Sequence, residues 1–193
     1  MGKLYVDEIH PKTTGGIITT TGLINVKEQL VMLCDGNNYT VSSGTYTPEN
    51  VSAIQLGTTS FVDLTGSSIS YTPPAGTTMV RYQFVFHFCY VDTFGIGHFK
   101  FLVDSDEVTK ARVTMSANGN LQTLTTLDYF LPIGGFADTT TGRQASWTTA
   151  KTLKVQFREY NAANEAKAHG THHFDGAGSA EFHMPKLAIT ALG

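Results

Sequence analysis

Charge is scarce in this sequence. Only 15 % of its 193 residues are Asp, Glu, Lys or Arg, well under the roughly 25 % of an average globular chain. With 13 basic against 16 acidic residues the net charge is −3. No basic excess is available to neutralise a phosphate backbone, so nucleic acid is not an expected partner. Long apolar runs are missing too: none approaches the roughly 18 residues of a membrane helix, and no membrane insertion is expected. The opening Met1-Gly2-Lys3-Leu4-Tyr5-Val6-Asp7 lacks the apolar stretch of a signal peptide, which predicts synthesis in a cytoplasm. Two cysteines, Cys34 and Cys89, make no disulfide framework and read as reduced core thiols. No P-loop, nucleophile elbow or His-Glu-x-x-His occurs. Accordingly no catalytic residue and no cofactor are expected, and the chain does not read as an enzyme.

What is abundant points one way. There are 28 Thr and 19 Gly, and aromatics reach 11 %. Thr and aromatic side chains suit a pleated surface, and Gly suits tight corners. The clearest period-2 stretch runs from Met79 to Val91, where Val80, Tyr82, Phe84, Phe86, Phe88 and Tyr90 form an unbroken apolar row. Pro73-Pro74-Ala75-Gly76 marks a turn before it. Phe99, Phe101 and Val103, then a strand from Val108 to Met115, form an expected hairpin about Asp104-Ser105-Asp106-Glu107. Those carboxylates read as turn residues rather than a calcium site. Ala117-Asn118-Gly119-Asn120 predicts a second hairpin, leading into a strand with Leu121, Thr123, Thr125, Leu127, Tyr129 and Leu131 on one face. Leu153, Val155 and Phe157 alternate likewise, Asn161 to Lys167 reads as a loop, and Pro185 separates the last two strands. Eight to ten strands without βαβ alternation predict an all-β fold, a jelly-roll-like antiparallel β-sandwich over residues 28–193. Residues 1–27 read as an extended N-terminal arm, because they hold too few large apolar residues for a core of their own.

Candidate sites follow from the same pattern. In the arm, Leu4, Val6, Ile9, Ile17 and Ile18 are candidates for pairing with a partner protein. On the strand from Met79, Arg81, Gln83, His87 and Cys89 form the face opposite the aromatic row, and are candidates for an oligomer interface. Phe94 and Trp147 stand in Gly- and Thr-rich surroundings as surface-loop binding candidates, whereas Phe136 reads slightly better as a lid over one end of the sandwich. His173 and Asp175 share a strand face, and with His183 they make a weak metal candidate that stays open. Asn38-Tyr39-Thr40 and Asn50-Val51-Ser52 match glycosylation acceptors, here read as chance matches.

Two stretches carry a resemblance. Leu4-Tyr5-Val6-Asp7-Glu8-Ile9 followed by Thr13-Thr14-Gly15-Gly16 resembles the opening of tail-fibre and virion-surface proteins of tailed bacteriophages. Ile69 to Thr77, the aromatic strand through His98-Phe99-Lys100, Arg158-Glu159-Tyr160 to Phe174-Asp175-Gly176, and Pro185 to Thr190 are similar to the C-terminal heads of such proteins. Those heads look like trimeric jelly rolls of the complement-C1q and tumour-necrosis-factor type. The resemblance implies a homotrimer located on a virion, attached through its arm to other virion proteins of the capsid or tail. It implies a short fibre or adhesin that binds a host surface glycan or protein, or else a capsid decoration (cement) protein. A soluble C1q-like carbohydrate-binding module is the alternative of another class. One departure stands out: phage fibres usually have a long shaft, and at most about 27 residues precede this head.

Overall fold

The computed structural model describes residues 25–90, 94–118, 123–172 and 180–193, and among these it holds strands, turns and loops but no helix. In chain order the strands are β1 (Val26–Leu33), β2 (Tyr39–Val41), β3 (Gly44–Tyr46), β4 (Gln55–Leu56), β5 (Val62–Asp63), β6 (Ile69–Tyr71), β7 (Met79–Tyr90) and β8 (Phe94–Val103). There follow β9 (Asp106–Asn118), β10 (Thr123–Pro132), β11 (Lys151–Glu159), β12 (Ala166–Ala168), β13 (Gly170–His172), β14 (Ala180–Phe182) and β15 (Lys186–Leu192). All the ladders between named strands are antiparallel. More strands form than period-2 reading anticipates, because five of them before Met79 are only two or three residues long.

Two sheets make a jelly-roll-like sandwich. In the first, β10 and β15 flank β7, β1 lies outside β15, and β12 with β4 extends the far end. In the second the order is β5-β11-β8-β9, with β6 also on β11. The even row of β7 faces inward: Val80, Tyr82, Phe84, Phe86 and Phe88 are all buried. Their partners come from the facing sheet, where Phe101 meets Tyr82 at 4.8 Å between ring centroids and Phe99 meets both Phe86 and Phe88 at 5.6 Å. Each such burial is worth about 1.5–3 kcal/mol, which is why this row determines the register of the whole sheet.

Three boundaries depart from expectation. β1 starts at Val26, and Asn25 and Gly193 exchange backbone bonds of 3.0 and 2.9 Å, so Val26 and Lys27 belong to the sheet rather than the arm. Ala166 and Lys167, expected in a loop, form β12 against Tyr90 and Cys89. The strands on either side of Ala117-Asn118-Gly119-Asn120 do not form a hairpin with each other. β9 pairs with β8 and β10 pairs with β7, so the chain crosses there from one sheet to the other.

The two long sides of the sandwich differ. On the β1 side a carboxylate joins the sheets. Glu28 of β1 accepts hydrogen bonds from Tyr71 Oη of β6 at 2.9 Å, Ser42 Oγ at 2.5 Å, Ser43 Oγ at 2.6 Å and the Ser43 amide at 2.7 Å. Burial opposes the Glu28 charge, but these four donors outweigh it and hold the carboxyl below its ordinary range. On the opposite side β9 and β10 are edge strands of different sheets, and among the described residues no hydrogen bond or ion pair joins them.

Candidate binding surfaces

Register assembles the outer face of the first sheet. Across β10, β7, β15 and β1, one row holds Phe130, Arg81, Thr190 and Gln29, and the next Asp128, Gln83, Ala188 and Val31. Arg81 clamps Asp128 with Nε to Oδ1 at 2.9 Å and a second contact from its terminal nitrogen to Oδ2, and its guanidinium lies 5.3 Å over the Phe130 ring. Gln83 donates to the same carboxylate at 3.3 Å. Val31, Leu33, Leu124 and Phe130 remain exposed around this centre. Arg81 and Gln83 therefore share a half-buried outward face, as their spacing requires. Cys89 does not. It is fully buried within the chain, and a Cβ at Gly170 would come within 2.8 Å of its Sγ. Its thiol is out of reach of another copy, and burial raises its pKa above the ordinary value.

His87 ends this face and packs on His183, with ring centroids 4.2 Å apart and planes 38° from parallel. Both Nδ1 atoms are buried without a hydrogen-bond partner among the described residues. Burial, then the neighbouring His183, lowers the His87 pKa. Of the metal candidates, His173 and Asp175 lie outside the described residues. Among the described residues no group of three or more His, Cys, Asp or Glu side chains is placed to hold a metal ion.

Between these strands lies His169, which opens the densest histidine group of the sequence but is not among its site candidates. Its amide donates to the His87 carbonyl and its carbonyl accepts from the His183 amide, both at 2.8 Å. Its φ is +66°, its Nε2 meets Thr65 Oγ1 at 3.1 Å, and Phe84 and Phe86 flank its ring edge-on at 6.2 and 6.0 Å. The side chain is wholly buried. Burial pushes its pKa down to about 4, with a hydrogen bond to the Thr65 backbone opposing and His183 adding to the fall. No local pattern announces this, because the apolar shell comes from β7, more than eighty residues earlier.

The aromatic loop candidates separate. Trp147 is buried, 5 % exposed, and its indole Nε1 donates to the Tyr71 carbonyl at 3.1 Å while its ring stands edge-on to Tyr71. It is a core anchor rather than a surface contact, since its one polar atom finds a backbone partner inside. Phe136 is 95 % exposed and lids nothing. Phe94 opens β8, and its side chain lies outside the described residues. The arm candidates Leu4, Val6, Ile9, Ile17 and Ile18 lie outside them as well. In the turn, Asp104 accepts from the Thr152 amide at 2.9 Å and from Lys151 Nζ at 3.3 Å, so its carboxylate serves the fold.

On the untied side of the sandwich, β9 and β10 leave between them an open cleft of about 290 Å³. Tyr82, Phe101, Val113, Met115, Leu127 and Tyr129 give it mostly apolar walls. Neither β9 nor β10 has a second strand neighbour among the described residues.

No protein-family model matches this chain, and no curated protein matches it. Among solved structures it is similar to a chain of the infectious bursal disease virus Gx strain, at 10 % identity over 87 % of this chain and 37 % of that one, with a TM-score of 0.37. It is similar also to a chain of the Gt strain, at 11 % identity over 91 % of this chain and 42 % of the other, with a TM-score of 0.34. This chain thus spans about two fifths of the length of those it matches. Scores this low carry no argument about function, and the bacteriophage and C1q-like resemblance stands on the sequence motifs alone.

Proposed function

We propose that this chain is a structural protein of a virion. It is a homotrimer, attached to other virion proteins through residues 1–27, and it acts as a short fibre that touches the host surface. The observation that carries the reading is the unclosed β9–β10 side. Among the described residues two sheets end there in edges without a further strand, and an apolar cleft of about 290 Å³ opens between them. Free edges and exposed apolar walls invite association, and rotation about a three-fold axis closes such contacts into a ring. The motif resemblance supplies the virion setting. The scarcity of charge supports surfaces that meet other copies, since charged residues are depleted at interface centres.

Light scattering on the purified full chain tests the trimer: three chains of 20.9 kDa give about 63 kDa. A mass of one chain overturns the trimer. Deleting residues 2–22 tests the attachment: the shortened protein is expected to be absent from purified particles. Its undiminished incorporation overturns the anchoring role. Should the full chain bind empty capsids but no host cell, the capsid-cement role replaces the fibre.

A further inference from the structure

The outer face of the second sheet carries a feature that neither oligomer contacts nor the core explain. Register places Arg158 of β11, His98 of β8 and Thr114 of β9 side by side. Two residues along β8 from His98, Lys100 projects from the same face. Phe61, just before β5, lies under two cations at once. Lys100 Nζ is 4.4 Å from its ring centroid and the Arg158 guanidinium carbon 5.4 Å. Two like charges on one ring repel each other, while the ring attracts each of them by about 0.5–1 kcal/mol at exposed sites.

The local acid does not settle the balance. Glu107 accepts from Arg112 Nε at 2.5 Å and stands 4.0 Å from Lys100 Nζ. Arg158 has no carboxylate in ion-pair range among the described residues, and its polar contact is a long one, 3.5 Å to the Thr59 carbonyl. Three cations against one carboxylate leave a local excess of two positive charges, on a chain whose net charge is −3. These groups line a shallow hollow of about 260 Å³. His98 holds Thr114 Oγ1 through Nδ1 at 2.9 Å and leaves Nε2 buried with no partner among the described residues. Tyr160, 53 % exposed, sits beside it with its ring 6.0 Å from the imidazole.

We propose that this hollow binds an anionic saccharide, its carboxylate or phosphate bridging Lys100 and Arg158 and its sugar ring resting between Phe61 and Tyr160. Charge-assisted hydrogen bonds from a planar guanidinium suit either anion. The exposed rings offer apolar faces to the C–H side of a sugar, and Thr114, oriented by His98 Nδ1, offers its hydroxyl to one of the sugar's. A nucleic acid strand is the less suitable occupant, because it needs a longer cationic track than two excess charges supply. The inference deepens the host-contact part of the proposed function and rests on it for the biological source of the saccharide.

Calorimetry of the full chain at low salt tests it, with tetragalacturonate as probe. Maltotetraose, inorganic phosphate and a short oligothymidylate are measured alongside. Tetragalacturonate is expected to bind and maltotetraose not to. Arg158→Gln and Lys100→Gln are each expected to weaken binding about tenfold, the equivalent of one charge-assisted contact. Lys151→Gln, which removes a distant cation, is expected to leave it unchanged. Both charge variants are surface changes, so circular dichroism unchanged from the parent secures the comparison. No binding of tetragalacturonate, or binding insensitive to Arg158→Gln, overturns the site. Equal binding of inorganic phosphate overturns the saccharide part, and tighter binding of oligothymidylate replaces the saccharide with a nucleic acid strand. These outcomes are independent of the mass and of particle incorporation, so failure here leaves the virion reading standing, and failure there leaves the site standing.

Discussion

His169 makes stability depend on pH in a way that can be worked out in advance. The imidazole is buried, and its folded pKa is about 4 against the ordinary 6.5. Because the folded value is the lower one, the unfolded chain takes up the proton first as pH falls. Stability is therefore unaffected above pH 6.5, declines between 6.5 and 4, and levels off below. At pH 5 the unfolded imidazole is almost fully protonated and the folded one almost not. One and a half decades of proton activity separate 6.5 from 5, at about 1.4 kcal/mol per decade, so His169 removes about 2 kcal/mol between pH 7.5 and 5. That is a large part of the 5–15 kcal/mol of a typical domain. The perturbation is His169→Asn, since asparagine tolerates the positive φ of +66° better than most residues do. Urea unfolding followed by the fluorescence of the single, buried Trp147 is the assay. His87 and His98, both lowered by burial first, add their own acid sensitivity to parent and variant alike. The difference between the two is what counts: the parent should lose about 2 kcal/mol more than the variant from pH 7.5 to 5. Equal losses would refute the placement of a neutral imidazole in the core.

Two other outcomes follow from the packing. Glu28→Ala removes the acceptor that joins β1 to β6 and leaves Tyr71 Oη buried without its partner, so urea unfolding at neutral pH should show a loss of about 2–3 kcal/mol. Gly66→Ala and Gly135→Ala both place a side chain at positive φ, +79° and +75°, but only at Gly66 would the new methyl meet a wall, 2.6 Å from Val51 Cγ2. The first should cost about 2–4 kcal/mol and the second about 1 kcal/mol; equal losses would mean that Val51 gives way freely.

Legibility in the sequence followed the range of the interactions. Alternation over β7 placed Val80 through Phe88 on one face and Arg81 and Gln83 on the other, because side-chain direction in a strand depends only on the count of residues. The turn at Asp104 was legible for the same reason: its signal is local. Trp147 was misread because its burial comes from Tyr71, and the supposed lid Phe136 stands 95 % exposed, covered by none of the described residues. Asn118-Gly119 reads as a hairpin by local rules, yet its flanking strands join opposite sheets, β9 beside β8 and β10 beside β7, a choice of partner that local rules do not encode.

The sequence alone thus determined that this protein is all-β, where its long strands run and which of their faces are apolar. Those properties are set by period-2 chemistry within a dozen residues. Only the tertiary structure decided that Glu28 closes one side while β9 and β10 leave the other open, that His169 is dry, and that Lys100 and Arg158 converge on Phe61. Each of these joins residues far apart in the chain, and their meeting depends on strand order, which hydrophobic alternation leaves undetermined.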